Sequence, residues 1–188
     1  MIPLASVAFD IDGVVANTMG LFIDIVRDKY HISIQYDQIT QYDLTQCLDI
    51  EFKVVWDILQ QIMNANHKQP LEPIDQAKEV LHKLAQNTEK LLFVTARPDS
   101  KALMPWFLKT LQLPESRFKI VATGDFQQKI YVLREHGIRY FVDDRMETCR
   151  LLNEHGLKPI VFCQPWNREP HPFIEVRTWD DIYQLIEK

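Results

Sequence analysis

The chain has 188 residues, 46% hydrophobic and 25% charged, a balance that excludes a mostly disordered or fibrous protein and suits one domain with room for an insert. Lys and Arg number 21 against 26 Asp and Glu, a formal net charge of −5, so a broad basic surface for a nucleic-acid polymer is not expected. No apolar run approaches the roughly 20 residues that span a bilayer. Residues 1–10 lack the basic and apolar parts of a signal peptide, and Cys47, Cys149 and Cys163 form no CxxC pair. A cytoplasmic protein with buried thiols and no membrane association is expected.

The first apolar run, 5–9, reads as a strand. No buried strand is evident from Thr18 to Leu71. There Phe22, Ile23, Ile25 and Val26, then Val54, Val55, Ile58, Leu59 and Ile62, recur at helical spacing, joined by a polar, aromatic-bearing connection at 36–44. A small helical cap at 18–71 is therefore expected after the first strand, set on a core made of 1–17 and 72–188. Its placement suits a lid over the strand ends.

Ile74, Ala77, Val80, Leu81 and Leu84 mark the next helix, and 90–94, 118–122, 139–142 and 159–163 read as strands. Glu135-His136-Gly137 and Glu154-His155-Gly156 repeat one punctuation: a left-handed glycine past a helix end, with a histidine suited to the negative end of the dipole. Both histidines read as structural. Thr178-Trp-Asp-Asp181 has the form of a capping box before a last helix carrying Ile182, Leu185 and Ile186. Strands alternating with helices predict an α/β fold, a Rossmann-like parallel sheet flanked by helices.

Ligands of open parallel sheets bind beyond the carboxyl ends of the strands. Asp10 and Asp12 follow the first predicted strand, Thr95, Ala96 and Arg97 the second, and Asp143 and Asp144 a later one, with Lys129 opening the helix before it. Taken singly, each acid reads as a helix cap, Thr95 as a turn hydroxyl and Lys129 as a solvated lysine. Together, four acids on one rim repel one another unless a cation neutralises them. Oxygen-only ligands suit a hard ion, and Mg2+ is the natural candidate.

Asp10-Ile-Asp-Gly-Val-Val resembles the first motif of the haloacid-dehalogenase-like (HAD) hydrolases. Phe93-Val-Thr-Ala-Arg resembles their second motif, Lys129 their third and Asp143-Asp144 their fourth. The resemblance implies a phosphomonoester hydrolase in which Asp10 attacks phosphorus, Thr95 and Lys129 hold and neutralise the phosphoryl group, and Asp12 works as general acid and base. That role requires Asp12 to start protonated while Asp10 is ionised. It also implies Mg2+ held by Asp10, the backbone carbonyl of Asp12, and one or both of Asp143 and Asp144. Dehalogenating relatives lack an acid at the position of Asp12, so phosphate transfer is favoured.

Thr95-Ala-Arg-Pro98, Asp143-Asp-Arg145 and Gln164-Pro-Trp-Asn-Arg168 look like the 5′(3′)-deoxyribonucleotidase branch. Gly13, with no Cβ, lets backbone amides approach the phosphate. Ala96, Arg97 and Trp166 are expected beside it on the substrate side. Phe22, Tyr30, Tyr36, Tyr42, Phe52 and Trp56 are either glue for the cap or stacking faces for a base. That branch often carries an acid and then an aromatic after the first motif, where this chain has Ala16-Asn17-Thr18-Met19. The expected partner is a small phosphomonoester such as a (deoxy)nucleoside monophosphate. Sugar phosphates, and a binding or regulatory protein without turnover, stay open beside it, as does the oligomeric state. Response-regulator receivers share the chemistry but carry the acid pair first, the reverse of the order here.

Overall fold

Parallel strands covered on both faces need continuous apolar runs, and the chain supplies five of them. In a computed structural model, which describes residues 1–187, the strands are β1 (Ile2–Pro3), β2 (Val7–Phe9), β3 (Leu91–Thr95), β4 (Phe118–Ala122), β5 (Tyr140–Asp143), β6 (Lys158–Phe162), β7 (Ile174–Val176) and β8 (Ile186–Glu187). Six form one parallel sheet in the order β4-β3-β2-β5-β6-β7. The helices are α1 (Thr18–Tyr30), α2 (Phe52–Met63), α3 (Ala77–Gln86), α4 (Leu103–Trp106), α5 (Lys129–Glu135), α6 (Met146–Glu154) and α7 (Trp179–Leu185). Every residue of β2 and β3 is buried. None of the helices is long and apolar enough to cross a membrane.

The five predicted strands are all present, the one at 118–122 with the expected bounds and the others with one or both ends shifted by one or two residues. Two features depart from the sequence pattern. Ile174 and Glu175 of edge strand β7 are exposed, so the strand carries no apolar run. Ile186, read as helical, instead pairs with Ile2 in a parallel two-residue bridge, and α7 stops at Leu185. Gly137 and Gly156 take φ of +67° and +79°, and His136 and His155 each donate from Nδ1 to the carbonyl four residues back, at 2.9 Å. The Thr178 capping box forms as expected. Cys149 is buried, but Cys47 and Cys163 are only half-buried, and all three are free thiols.

Residues 15–17 lie against residues 72–74. The Asn17 N–H donates to the Glu72 carbonyl at 2.9 Å and the Ile74 N–H to that of Val15 at 2.8 Å. Between them α1 and α2 pack on each other, with Ile25, Val26, Ile58 and Ile62 buried in a core continuous with that under the sheet. Short 3-10 turns at Tyr36–Gln38 and Leu44–Gln46 join the two helices. The second turn and α2 face the carboxyl end of β2.

Candidate active site

The sheet delivers the chemistry to one edge. Asp10 follows β2 and stays in register with β5, its N–H donating to the Val142 carbonyl at 2.8 Å. Thr95 closes β3, Asp143 closes β5, and Lys129 is the first residue of α5. After Asp10 the chain turns tightly. The Gly13 N–H donates to the Ala16 carbonyl at 2.9 Å, and Gly13 takes φ +76° with Asp144 Oδ2 only 2.1 Å from where a Cβ would stand. Glycine is required twice here, by backbone conformation and by space.

Lys129, 2% exposed, lies with Nζ 3.0 Å from Asp10 Oδ1 and 2.8 Å from Asp143 Oδ2. The Arg145 N–H donates to Asp143 Oδ1 at 2.8 Å, so both Asp143 oxygens accept. Asp144 differs: Oδ2 accepts from the Trp166 indole at 3.0 Å, while buried Oδ1 has no hydrogen-bond partner. Asp10 Oδ1 has its ion pair with Lys129 but no aligned hydrogen bond. Oxygens of Asp10, Asp143 and Asp144 lie within 4.8 Å of one another. Three buried carboxylates thus face one ammonium, and burial makes the excess negative charge costly. An oxygen-only donor set with unpartnered atoms fits a divalent cation.

The Asp12 carboxylate stands outside this group. Arg97, 4% exposed, donates to it from Nε at 2.9 Å and from a terminal nitrogen at 2.7 Å. The Thr18 hydroxyl adds a third bond at 2.6 Å, and the Arg97 N–H donates to Thr95 Oγ1 at 3.2 Å. Asp10, Asp12, Thr95, Ala96, Arg97 and Lys129 line one small cavity of about 30 Å³. Its roof was not legible in the sequence. The Arg145 guanidinium lies between the Tyr42 ring at 4.6 Å and the Phe126 ring at 4.1 Å.

Beside this cavity, past Asp12, Gly13 and Asp144, opens a chamber of about 410 Å³ walled by Met19, Tyr42, Val55, Leu59 and Met63. Phe52 and Trp56 stack at its edge, ring centroids 6.3 Å apart and 18° from coplanar, and both are exposed. Of the other aromatics, Phe22 is core and Tyr36 donates its hydroxyl to Gln164 Oε1 at 3.0 Å. Trp166, expected on the rim, is 7% exposed and spends its polar atom on Asp144, because the 3-10 turn Pro165–Asn167 folds inward behind the acid pair.

Burial pushes Asp10 up to about 7 against the attraction of Lys129, and Asp143 and Asp12 raise it further. Burial, Asp143 and Asp10 push Asp144 well above the usual carboxylate range. Burial disfavours ionised Asp12 too, but the Arg97 guanidinium with its hydrogen bonds outweighs it and holds the carboxyl low. Burial works against protonated Lys129, yet Asp10 and Asp143 together hold it above the ordinary lysine value. With no cation bound, the two motif acids are shifted in opposite directions, Asp10 up and Asp12 down. Asp12 is held low by Arg97, a contact between residues 85 apart in sequence.

The raised Asp10 value sets a pH dependence. Between the ordinary aspartate value near 4 and about 7, the native state keeps a proton that the unfolded chain has lost. Stability of the metal-free protein therefore falls as pH rises through that window. Asp12 acts oppositely, its contribution being lost only as pH falls below the ordinary aspartate value. Thermal melts in chelator should show a midpoint that drops from pH 5 to pH 8, and saturating Mg2+ should flatten the drop. A flat profile in chelator would contradict the assigned environment of Asp10.

Residues 4–188 match the family model described as 5′ nucleotidase, deoxy (Pyrimidine), cytosolic type C protein. The chain is 29% identical over 184 residues to "Putative nucleotidase BH1399" of Halalkalibacterium halodurans, covering 95% of this chain and 91% of that one. It is 26% identical over 182 residues to "Putative nucleotidase YqfW" of Bacillus subtilis, covering 94% and 91%. Its fold matches the crystal structure of a HAD-superfamily hydrolase from Ehrlichia chaffeensis with a TM-score of 0.58 at 15% identity, covering 98% of this chain and 97% of that one. With the parallel sheet and its buried carboxylates, these likenesses make the chain a phosphomonoester hydrolase of the HAD superfamily. Within that superfamily, the chain belongs to the deoxy (pyrimidine) 5′-nucleotidase, cytosolic type C, family.

Proposed function

We propose that the protein is a Mg2+-dependent phosphomonoesterase that works through an aspartyl-phosphate on Asp10, with a (deoxy)nucleoside monophosphate as its substrate. The observation that carries this reading is the buried group of Asp10, Asp143 and Asp144 oxygens around Lys129, opening beside an apolar chamber edged by stacked aromatic rings. Asp10 and Asp144 would hold the ion through side-chain oxygens, with the backbone carbonyl of Asp12. Asp144 is favoured over Asp143 because its Oδ1 is unpartnered, whereas both Asp143 oxygens accept. When bound, Mg2+ supplies positive charge beside the transferring phosphoryl group and favours the anion of Asp10.

An Asp10 oxygen attacks phosphorus and the phosphorus–oxygen bond to the leaving group breaks. The electron pair leaves with the alkoxide, and Asp12 supplies its proton. Water then attacks the aspartyl-phosphate, Asp12 takes the water's proton, and Asp10 and inorganic phosphate are released. Lys129 and the Thr95 backbone and hydroxyl neutralise or hold phosphoryl oxygens throughout. Asp12 is clasped by Arg97, so it takes up its first proton from solvent as an incoming phosphoryl dianion competes for that guanidinium, and the proton taken from water recharges it for the next turnover. Residues 18–71 act as a cap on the core formed by 1–17 and 72–188, lending Tyr42 to the roof and Phe52 and Trp56 to the chamber. The free thiols fit the cytoplasm.

Phosphate release from a panel of ribo- and deoxynucleoside monophosphates and sugar phosphates, with Mg2+ and with EDTA, tests the reading. Nucleotides should lead, and EDTA should stop turnover. If sugar phosphates equal nucleotides, the nucleotide assignment fails and the phosphatase stands. Trp56→Ala removes one stacking face at the chamber edge. It should raise KM for the best nucleotide by about tenfold, in line with roughly 1–3 kcal/mol per stacked base, with kcat little changed. Steady-state kinetics decides it, and an unchanged KM would remove Trp56 from the leaving-group site.

A further inference from the structure

Residues 164–167 form a buried crosspiece behind the acid pair. The Trp166 indole N–H donates to Asp144 Oδ2 at 3.0 Å. Asn167 Nδ2 donates to the Asp144 carbonyl and to that of Phe162, both at 2.8 Å. Gln164 Nε2 donates to the Gly13 carbonyl at 2.7 Å and accepts at Oε1 from Tyr36. The turn closes on itself as the Gln164 N–H donates to Asn167 Oδ1 at 2.9 Å. Trp166, Gln164 and Asn167 are all buried.

We infer that Trp166 is a positioning residue for the divalent cation: its indole N–H occupies Asp144 Oδ2 and leaves the buried Oδ1 as the unpartnered oxygen for the ion. This rests on the proposed role of Asp144 as an ion ligand. An indole nitrogen is a donor only, so the bond fixes which Asp144 oxygen is spent and which stays open. Asp144 Oδ2 also sits so close to Gly13 that a Cβ there would overlap it. Removing the N–H therefore leaves a carboxylate that can turn toward its two acidic neighbours in the wrong pose or swing out of reach. Outer partners that orient metal ligands commonly change affinity 10–100-fold when lost.

Trp166→Phe keeps an aromatic ring, removes the donor and vacates only the smaller part of the indole. Calorimetric titration with Mg2+ should show affinity reduced about tenfold or more, with circular dichroism and the melt in EDTA reporting an intact fold. Because Trp166 acts through Asp144, the same substitution in an Asp144→Asn background should weaken Mg2+ binding no further. The intact protein gives an independent reading: in ¹⁵N-labelled wild type, the Trp166 indole resonance should move on Mg2+ titration with the midpoint found by calorimetry. Wild-type affinity in Trp166→Phe, equal losses in both backgrounds, or an indole resonance unmoved at saturating Mg2+ would overturn the inference. If the wild-type protein takes up no Mg2+ yet hydrolyses phosphomonoesters in EDTA, the cation reading itself fails, and the inference falls with it.

Discussion

Asp10→Asn protein should fold and release phosphate from the best substrate at least about 10⁴-fold more slowly than the parent, as losses of nucleophiles do. The substitution is nearly isosteric, so the cavity and the Val142 backbone bond are kept. What is lost is the anion that attacks phosphorus, since an amide has no comparable nucleophilicity. Stability should move the other way. Burial already penalises ionised Asp10, and a neutral side chain removes that penalty, offset in part by the weakened hold on Lys129. In chelator at pH 8 the variant should melt no lower than the parent. Phosphate release near the parental rate would exclude Asp10 as nucleophile.

Lys129→Met should damage both stability and catalysis. The ammonium sits 3.0 Å from Asp10 and 2.8 Å from Asp143 with almost no solvent contact. Its removal leaves two buried carboxylates with no cation of the chain between them, and breaking such a pair costs about 3–5 kcal/mol. Lys129 is held above its ordinary value, so its contribution is present at all pH values below about 10.4 and is lost only as pH rises beyond that. Denaturant titration at pH 8 should therefore show the full deficit, and saturating Mg2+ should recover part of it. Turnover should fall by about 10²–10³, the usual cost of one charge-stabilising donor. An unchanged denaturation midpoint would contradict the buried pairing, and unchanged turnover would remove Lys129 from the phosphoryl site.

The parallel sheet was legible because β2, β3, β5 and β6 are mostly buried and therefore largely apolar, and edge strand β4 keeps an apolar run after Lys119. β7 was not, since two of its three residues face solvent, and Ile186 has a spacing that suits a helix but a partner, Ile2, at the far end of the chain. The acids at the strand ends were legible from their order alone: a side chain just past a parallel strand has one place to go. Their partners were not. Arg97 reads as a substrate contact until its fork is seen on Asp12, and Trp166 reads as a rim residue until its indole is seen on Asp144. Both are tertiary contacts that no spacing rule encodes, and the first holds the Asp12 carboxyl below its ordinary value. Tyr42, Phe126 and Arg145 likewise come from three separate segments, and only folding stacks them into the roof.

The most direct test is to quench the enzyme in acid during turnover with Mg2+ and locate any covalent phosphate by mass spectrometry of its peptides. The proposed mechanism predicts a hydroxylamine-labile phosphoryl group on Asp10, absent without substrate and absent from Asp10→Asn. A phosphoryl group on any other residue, or sustained turnover in which rapid quenching traps none, would contradict it.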